Sequence, residues 1–322
     1  MEQNMFIRIL NSEMELATGC TEPGAVALTA AEAGQALRKA GVDKAEEITV
    51  NASINIIKNA MSAGIPGTDY EGMDYAAAIG ALGGDPVYLL EVMNHVPRET
   101  VEAAAALGKS GKVRVNVAQV PQKLYIEVIA KGGGHTGRAI VRDLHTNVVL
   151  VEQDGVATLD KRDTDTAAAG DSDVVTPEQI ASFLTVRSIW DYCTKELDPM
   201  NDPIDIIRSA VKVNSVISDE GLSKEYGLAI GRNLDLNCRK GLMTRDLTTN
   251  SMIAAAAGAD ARMAGAPGCR WWQTPAAAIR VSLRRCPSWL LPAGWTSTSP
   301  PCCVPSPCRT SSPSASSRSL AV

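Results

Sequence analysis

Residues 123–153 read KLYIEVIAKGGGHTGRAIVRDLHTNVVLVEQ, and this stretch decides the fold class. Leu124 to Ala130, Gly137 to Arg142 and Asn147 to Glu152 are short runs rich in β-branched and apolar residues, separated by glycine-rich and polar turn signals. Val113 to Ala118, just upstream, has the same character. Short runs joined by tight turns predict a mostly antiparallel sheet.

Towards the N-terminus the period changes. Residues 2–17 have helical spacing, and Thr21-Glu22-Pro23 opens a second helix, running from Val26 to Lys39, with a capping-type residue, an early acid and an early proline. Glu47 to Ile54 reads as a strand, Asn55 to Thr68 as a turn-rich stretch, and Tyr75 to Leu82 and Arg98 to Leu107 as helices. The first domain, 1–159, is thus α+β, a mixture of helices with a mostly antiparallel sheet. An exposed connection follows over 160–176, rich in Asp, Thr, Ala and Gly. From 177 to 266 apolar residues recur at helical spacing, which predicts an all-helical second domain, incomplete as it stands.

After Pro267 the composition breaks. The last 55 residues hold four of the five Trp, eight of the 17 Pro, eleven Ser, six Arg and no Asp, Glu or Lys. Translation in a shifted frame accounts for such a segment, 267–322. In that frame Gly268 to Leu290 permits an apolar, glycine-rich reading that includes Asn-Ser-Gly-Ser-Gly-Asn-Gln-Gly. Without this tail the chain carries a net charge of −11. That balance argues against nucleic acid and anionic membrane surfaces as partners and favours small-molecule chemistry. There is no apolar run of the roughly 18 residues that a membrane span needs, and no signal segment at the N-terminus, so a cytoplasmic location is expected. Five of the eight cysteines fall in the tail. Cys20, Cys193 and Cys238 remain, without a CxxC pair, so neither a zinc knuckle nor a disulfide framework is supported.

Several residues could carry chemistry. Cys20 precedes a helix start, where backbone N–H groups and the helix dipole favour an anion, which predicts a lowered thiol pKa and a metal-ready sulfur. A buried small hydrophobe beside a helix cap is the competing reading. His135 and His145 lie at the two ends of a predicted strand, as site residues or as hydrogen-bonded turn residues; His95 reads as loop. Lys58, among small and apolar residues, is either a partly desolvated base or a surface lysine that snorkels. Asp260 and Arg262 sit in an Ala/Gly run, where the arginine could clamp a carboxylate or close a structural ion pair. The glycine clusters at 80–84 and 132–134 match no nucleotide-binding fingerprint.

Taken in order, Gly19-Cys20-Thr21-Glu22-Pro23, Ile57-Lys58-Asn59, Ile65-Pro66-Gly67-Thr68, residues 78–84, His145-Thr146-Asn147, Glu220-Gly221-Leu222, Tyr226-Gly227-Leu228 and Asp260-Ala261-Arg262-Met263 form a pattern. It resembles the L-cysteine desulfidase family, related to iron–sulfur L-serine dehydratase α chains. The resemblance runs through residue 266. It implies a [4Fe-4S] cluster held by three cysteines, with one iron left open to take the substrate's sulfur or hydroxyl. It implies Cys20 as a cluster ligand, Lys58 and His145 as catalytic residues, and Thr21, Asn59, Asn147 and Arg262 as substrate contacts. The reaction implied is α,β-elimination of L-cysteine to pyruvate, ammonia and hydrogen sulfide.

The family's other cluster cysteines lie in a C-terminal part that this chain lacks, so the chain as written is expected neither to hold the cluster nor to turn over. L-serine ammonia-lyase activity, a non-catalytic remnant and a small-molecule binding protein are the alternatives. The partner expected is a small amino acid, and a homodimer is the assembly considered. The frame reading is checked by sequencing the gene across the codons for Ala264 to Trp272. A missing or extra base is expected, and an intact frame there overturns the reading of the tail.

Overall fold

In the computed structural model, the described residues are 5–163, 180, 182–198 and 200–273. Among them the order begins α1 (Met5–Glu13), β1 (Glu15–Thr18), α2 (Thr21–Lys39), β2 (Glu47–Ala52), α3 (Ile54–Ala60), α4 (Met73–Gly83) and α5 (Arg98–Lys109). The sheet strands β3 (Val113–Val117), β4 (Tyr125–Gly132), β5 (His135–Arg142), β6 (Val148–Gln153) and β7 (Val156–Asp160) follow. Helices α6 (Val186–Asp191), α7 (Asp205–Ser223), α8 (Ile230–Arg239) and α9 (Leu247–Met263) come next, and then β8 (Arg270–Gln273).

The expected α+β half followed by a helical half is what the structure has. Six strands form one sheet in the order β3-β2-β4-β5-β6-β7. Neighbours are antiparallel except β2 and β3, which are parallel because the chain between them crosses over through α3, α4 and α5. One sheet face, carrying Ile48, Val50, Ile126, Val128, Ala139 and Val141, joins the main core. On β4, β5 and β6 the side chain of Arg138 lies between Glu127 and Glu152 and pairs with both.

The core is organised around α2, whose residues from Thr21 to Leu37 are almost all buried. A helix of Ala, Gly, Val and Leu with this little polar surface needs cover on every side. The sheet covers one side and α4 another, at backbone contact: a Cβ at Gly137 would lie 2.0 Å from the Ala33 carbonyl oxygen, and one at Gly80 would lie 2.1 Å from that of Ala27. Arg38, in the last turn of α2, donates to the carbonyls of Ala81 and Gly84 and so fastens the far end of the pair.

Three local readings are corrected. Helical spacing over 2–17 holds only for Met5–Glu13; the chain then extends as β1, which pairs with β8 from Glu15↔Gln273 to Thr18↔Arg270. The turn-rich reading from Asn55 misses α3, because Ser53 leaves the sheet in an extended conformation and Ile56 and Ala60 find the core at helical spacing. Strand β7 also went unread: its burial is slight and its residues do not alternate clearly.

In the helical half, α9 lies across α7 and α8, where Gly221 and Gly231 both approach the backbone of Ala257. The chain after α9 then fastens to the first half. Gly64 N–H donates to the Met263 carbonyl at 2.8 Å, Gly67 N–H to that of Gly265 at 3.1 Å, and Gly19 N–H to that of Cys269 at 2.9 Å. Ordered structure therefore continues six residues past Pro267; residues 274–322, including four of the tail cysteines, lie outside the described residues.

Helix propensity alone favours alanine over glycine by about 1 kcal/mol at an interior helical position such as Gly80. The α2–α4 contact reverses that sign, because the added methyl would overlap the Ala27 carbonyl. Gly80→Ala is expected to lower the unfolding free energy by about 3 kcal/mol in urea denaturation. An unchanged or raised midpoint would show that the two helices are farther apart.

Candidate functional site

Four segments converge at the N-terminal end of α2. Gly19, with φ of +68°, turns the chain sharply between β1 and α2. Cys20 follows as the N-cap in an extended conformation, and its thiol makes no capping bond to the helix backbone. Instead it donates to Glu22 Oε2 at 2.9 Å. Thr21 Oγ1 donates to the same oxygen at 3.1 Å, and Asn59 Nδ2, from α3, donates to Glu22 Oε1 at 2.9 Å. Glu22 is the hub of the site.

The electrostatics follow from this arrangement. Burial pushes the Glu22 carboxyl up, but the hydrogen bonds from Cys20 and Asn59 favour its charged form and outweigh burial, leaving it below its ordinary value. Cys20 is then buried beside a carboxylate, and both burial and that negative charge drive its thiol up to about 12; the positive charge of Arg262 offsets only part of this. The lowered thiol pKa expected from the helix start is therefore overturned. The helix-end anion is Glu22, in the first turn, and it keeps the neighbouring sulfur protonated.

His145 comes to the same place from the turn between β5 and β6, where Asp143 takes φ of +72° and the register shifts between Ile140 and Val141. Burial lowers its pKa, while the charges of Glu22 and Glu15 pull the other way. The imidazole is accordingly neutral at neutral pH and within electrostatic reach of Glu22. Thr146, beside it, donates to Glu15 Oε1 at 3.1 Å and holds the turn against β1.

Arg262, near the end of α9, brings its charge to both Cys20 and Cys269. Cys269 is buried, and burial drives its thiol up to about 11. The segment around it is anchored by Arg270, whose guanidinium donates to both oxygens of Glu91 at 2.7 and 3.1 Å. Asn94 Nδ2 reaches the same carboxylate at 3.2 Å and donates to Thr18 Oγ1 at 2.5 Å.

Of the residues singled out from sequence, Cys20, Thr21, Asn59, His145 and Arg262 converge here. Three others have different surroundings. Lys58 is exposed on α3, so the partial removal from water expected for it is not found. Asn147 spends its side-chain amide on the Arg142 carbonyl, 2.9 Å away, closing the β5–β6 turn. His135 lies elsewhere, 2.8 Å from Asp154. Glu22, Glu15 and Cys269 were missed as site residues. In sequence the acid of Gly-Cys-Thr-Glu-Pro reads only as a helix-start residue, and Cys269 falls within the tail.

Cys20 and Cys269 are the two thiols this region offers, and among the described residues no group of three His, Cys, Asp or Glu side chains could hold a metal ion. The described residues do not complete the three-cysteine donor set that the resemblance implies. Thiols that are both buried and protonated react slowly with alkylating reagents. At neutral pH, iodoacetamide is expected to modify the exposed Cys193 at least about tenfold faster than Cys20 or Cys269, as read by peptide mass spectrometry. Labelling of Cys20 at the rate of Cys193 would restore the thiolate reading.

With this geometry established, comparison with known proteins gives a consistent set of relatives. The chain is 40% identical over 264 residues to a UPF0597 protein of Oleidesulfovibrio alaskensis, 37% over 261 residues to one of Chromobacterium violaceum, and 36% over 267 residues to one of Dichelobacter nodosus. These matches take in 81–83% of this chain but 57–58% of each relative, so the chain spans well under two thirds of their length. No family model matches the chain, and no solved structure does. By sequence, this chain is similar to the UPF0597 proteins over four-fifths of its length.

Proposed function

We propose that the site at the start of α2 is the amino-acid half of an iron–sulfur-dependent L-cysteine desulfidase, the rest of whose donor set is not among the described residues. The observation that carries this reading is the convergence on one half-buried carboxylate, Glu22, of a thiol, a hydroxyl and an amide, with a neutral imidazole within its electrostatic reach and the charge of Arg262 acting on the thiol. These groups suit an α-amino acid. Arg262 offers a bidentate partner for a substrate carboxylate. The negative charge of Glu22 suits an ammonium group.

His145 is the base in this scheme. An imidazole kept neutral by burial can accept the Cα proton, and the nearby carboxylates stabilise the imidazolium that results. The electron pair of the broken C–H bond forms the Cα–Cβ double bond as the Cβ–S bond breaks and sulfide leaves. The 2-aminoacrylate released tautomerises to the imine, which water hydrolyses to pyruvate and ammonia. Lys58, exposed and on the neighbouring helix, is the weaker candidate for that proton transfer. Expulsion of sulfide also needs an electrophile, which the described residues do not supply, so no step is assigned to one. The chain as written is accordingly expected to be inactive.

L-serine ammonia-lyase chemistry is the second reading, because Glu22, His145 and Arg262 would bind either substrate alike and differ only in the leaving group.

The test uses the chain as written and a frame-restored version, each assayed for pyruvate and sulfide from L-cysteine and for pyruvate from L-serine. Turnover of L-cysteine by the restored protein alone is expected. In that protein His145→Ala should lower kcat by about a hundredfold with little change in KM, and Arg262→Ala should raise KM. Turnover of L-serine in place of L-cysteine would select the second reading. Turnover of neither would sink both.

A further inference from the structure

Two carboxylates bear on the His145 imidazole, Glu22 from α2 and Glu15 from β1. They are differently committed. Glu22 accepts from Cys20 and Thr21 at Oε2 and from Asn59 at Oε1, so both of its oxygens are held within the site. Glu15 accepts a single side-chain hydrogen bond among the described residues, at Oε1 from the hydroxyl of Thr146, 3.1 Å away. Thr146 follows His145 directly in the chain, so this bond holds the Glu15 carboxylate against the backbone that carries the imidazole.

Both ends of that bond are anchored. Glu15 lies on β1 and is itself paired in the ladder with β8, opposite Gln273. The turn of His145 is closed by Asn147, whose N–H donates to the Leu144 carbonyl at 3.2 Å and whose amide donates to that of Arg142. Asp143 N–H ties the same turn to the Leu124 carbonyl at 3.1 Å. The other charges of this region have partners of their own: Asp143 pairs with Arg142 at 3.1 Å, and Arg262, from α9, bears on the two thiols.

We infer that Glu15 is the positioning residue of His145: its carboxylate orients the imidazole and takes a hydrogen bond from the imidazolium once the ring has gained a proton. A ring that accepts a proton at one nitrogen carries an N–H on the other, and a carboxylate there fixes which nitrogen is left to act as base. Glu22 suits that part less well, because turning towards the imidazolium would make it give up bonds from Thr21 or Asn59. The inference rests on His145 as the base of the reaction proposed above, and Glu15 itself touches no substrate.

The test titrates the ring directly in the chain as written, by NMR of isotope-labelled histidine, with the His145 signal identified by its loss in His145→Gln. Glu15→Gln keeps an oxygen to accept from Thr146 and removes only the charge. Loss of a nearby negative charge disfavours the protonated ring, so the acid dissociation constant of His145 is expected to rise about tenfold. His95, against Tyr88, and His135, paired with Asp154, should titrate as before and report that the variant is folded. A part in holding the turn alone would leave the titration of His145 unmoved. Thr146→Val releases the carboxylate without removing it and should shift the same titration in the same direction by a smaller step, which provides the reading if Glu15→Gln does not fold. An unchanged His145 titration in both variants would overturn the inference, and a larger shift with Glu22→Gln than with Glu15→Gln would pass the role to Glu22. The readout needs no turnover. A shifted titration with no elimination by the frame-restored protein would keep the Glu15–His145 pairing and sink the desulfidase reading, and an unmoved titration with turnover intact would do the reverse.

Discussion

The near-complete burial of α2 from Thr21 to Leu37 is the constraint on which the rest of the structure depends. A helix with so little exposed surface forces the sheet and α4 to close on it, and only glycine permits the backbone contacts at Ala27 and Ala33. Its direction follows from the same packing. Arg38 ties the C-terminal turn to the end of α4, while the N-terminal turn is left where β1, α3 and the β5–β6 turn meet. The site is therefore a by-product of how one helix was covered.

At that helix end, proximity decided the electrostatics over the dipole. A helix start favours an anion, and the residue that satisfies the preference is Glu22, which gains hydrogen bonds from three side chains. Burial raises the Cys20 thiol most, and the charge that Glu22 has taken raises it further. The same carboxylate bears on His145, whose neutrality comes from burial. Burial thus leaves a thiol and an imidazole from distant parts of the chain both neutral beside one charged acid.

The two halves of the chain are joined by backbone hydrogen bonds between small residues, Gly64 to Met263, Gly67 to Gly265 and Gly19 to Cys269. Such a junction is insensitive to side-chain identity, which is why β8 can pair with β1 although its composition is foreign to the rest of the chain. It also carries Arg262 to the α2 terminus and gives the helical half a part in the site.

Much of this was legible beforehand. The alternating runs from Leu124 to Glu152 predicted their strands to within a residue or two at most ends, and Gly-Cys-Thr-Glu-Pro marked the site because a helix start with an acid and a thiol is a local pattern. The α3 helix escaped because its core contacts come from residues distant in sequence, and β1 because four residues are too few to show a period. The sequence by itself determined the period of each element, the acidity of the body and the position of the motif, since all three are set by neighbours along the chain. Only the tertiary structure decided that Glu22 and not Cys20 holds the charge, that Lys58 faces water, that Asn147 closes a turn, and that Arg262 stands beside both thiols. Charge, burial and reach depend on what packs across from a residue, and a linear pattern does not contain that information.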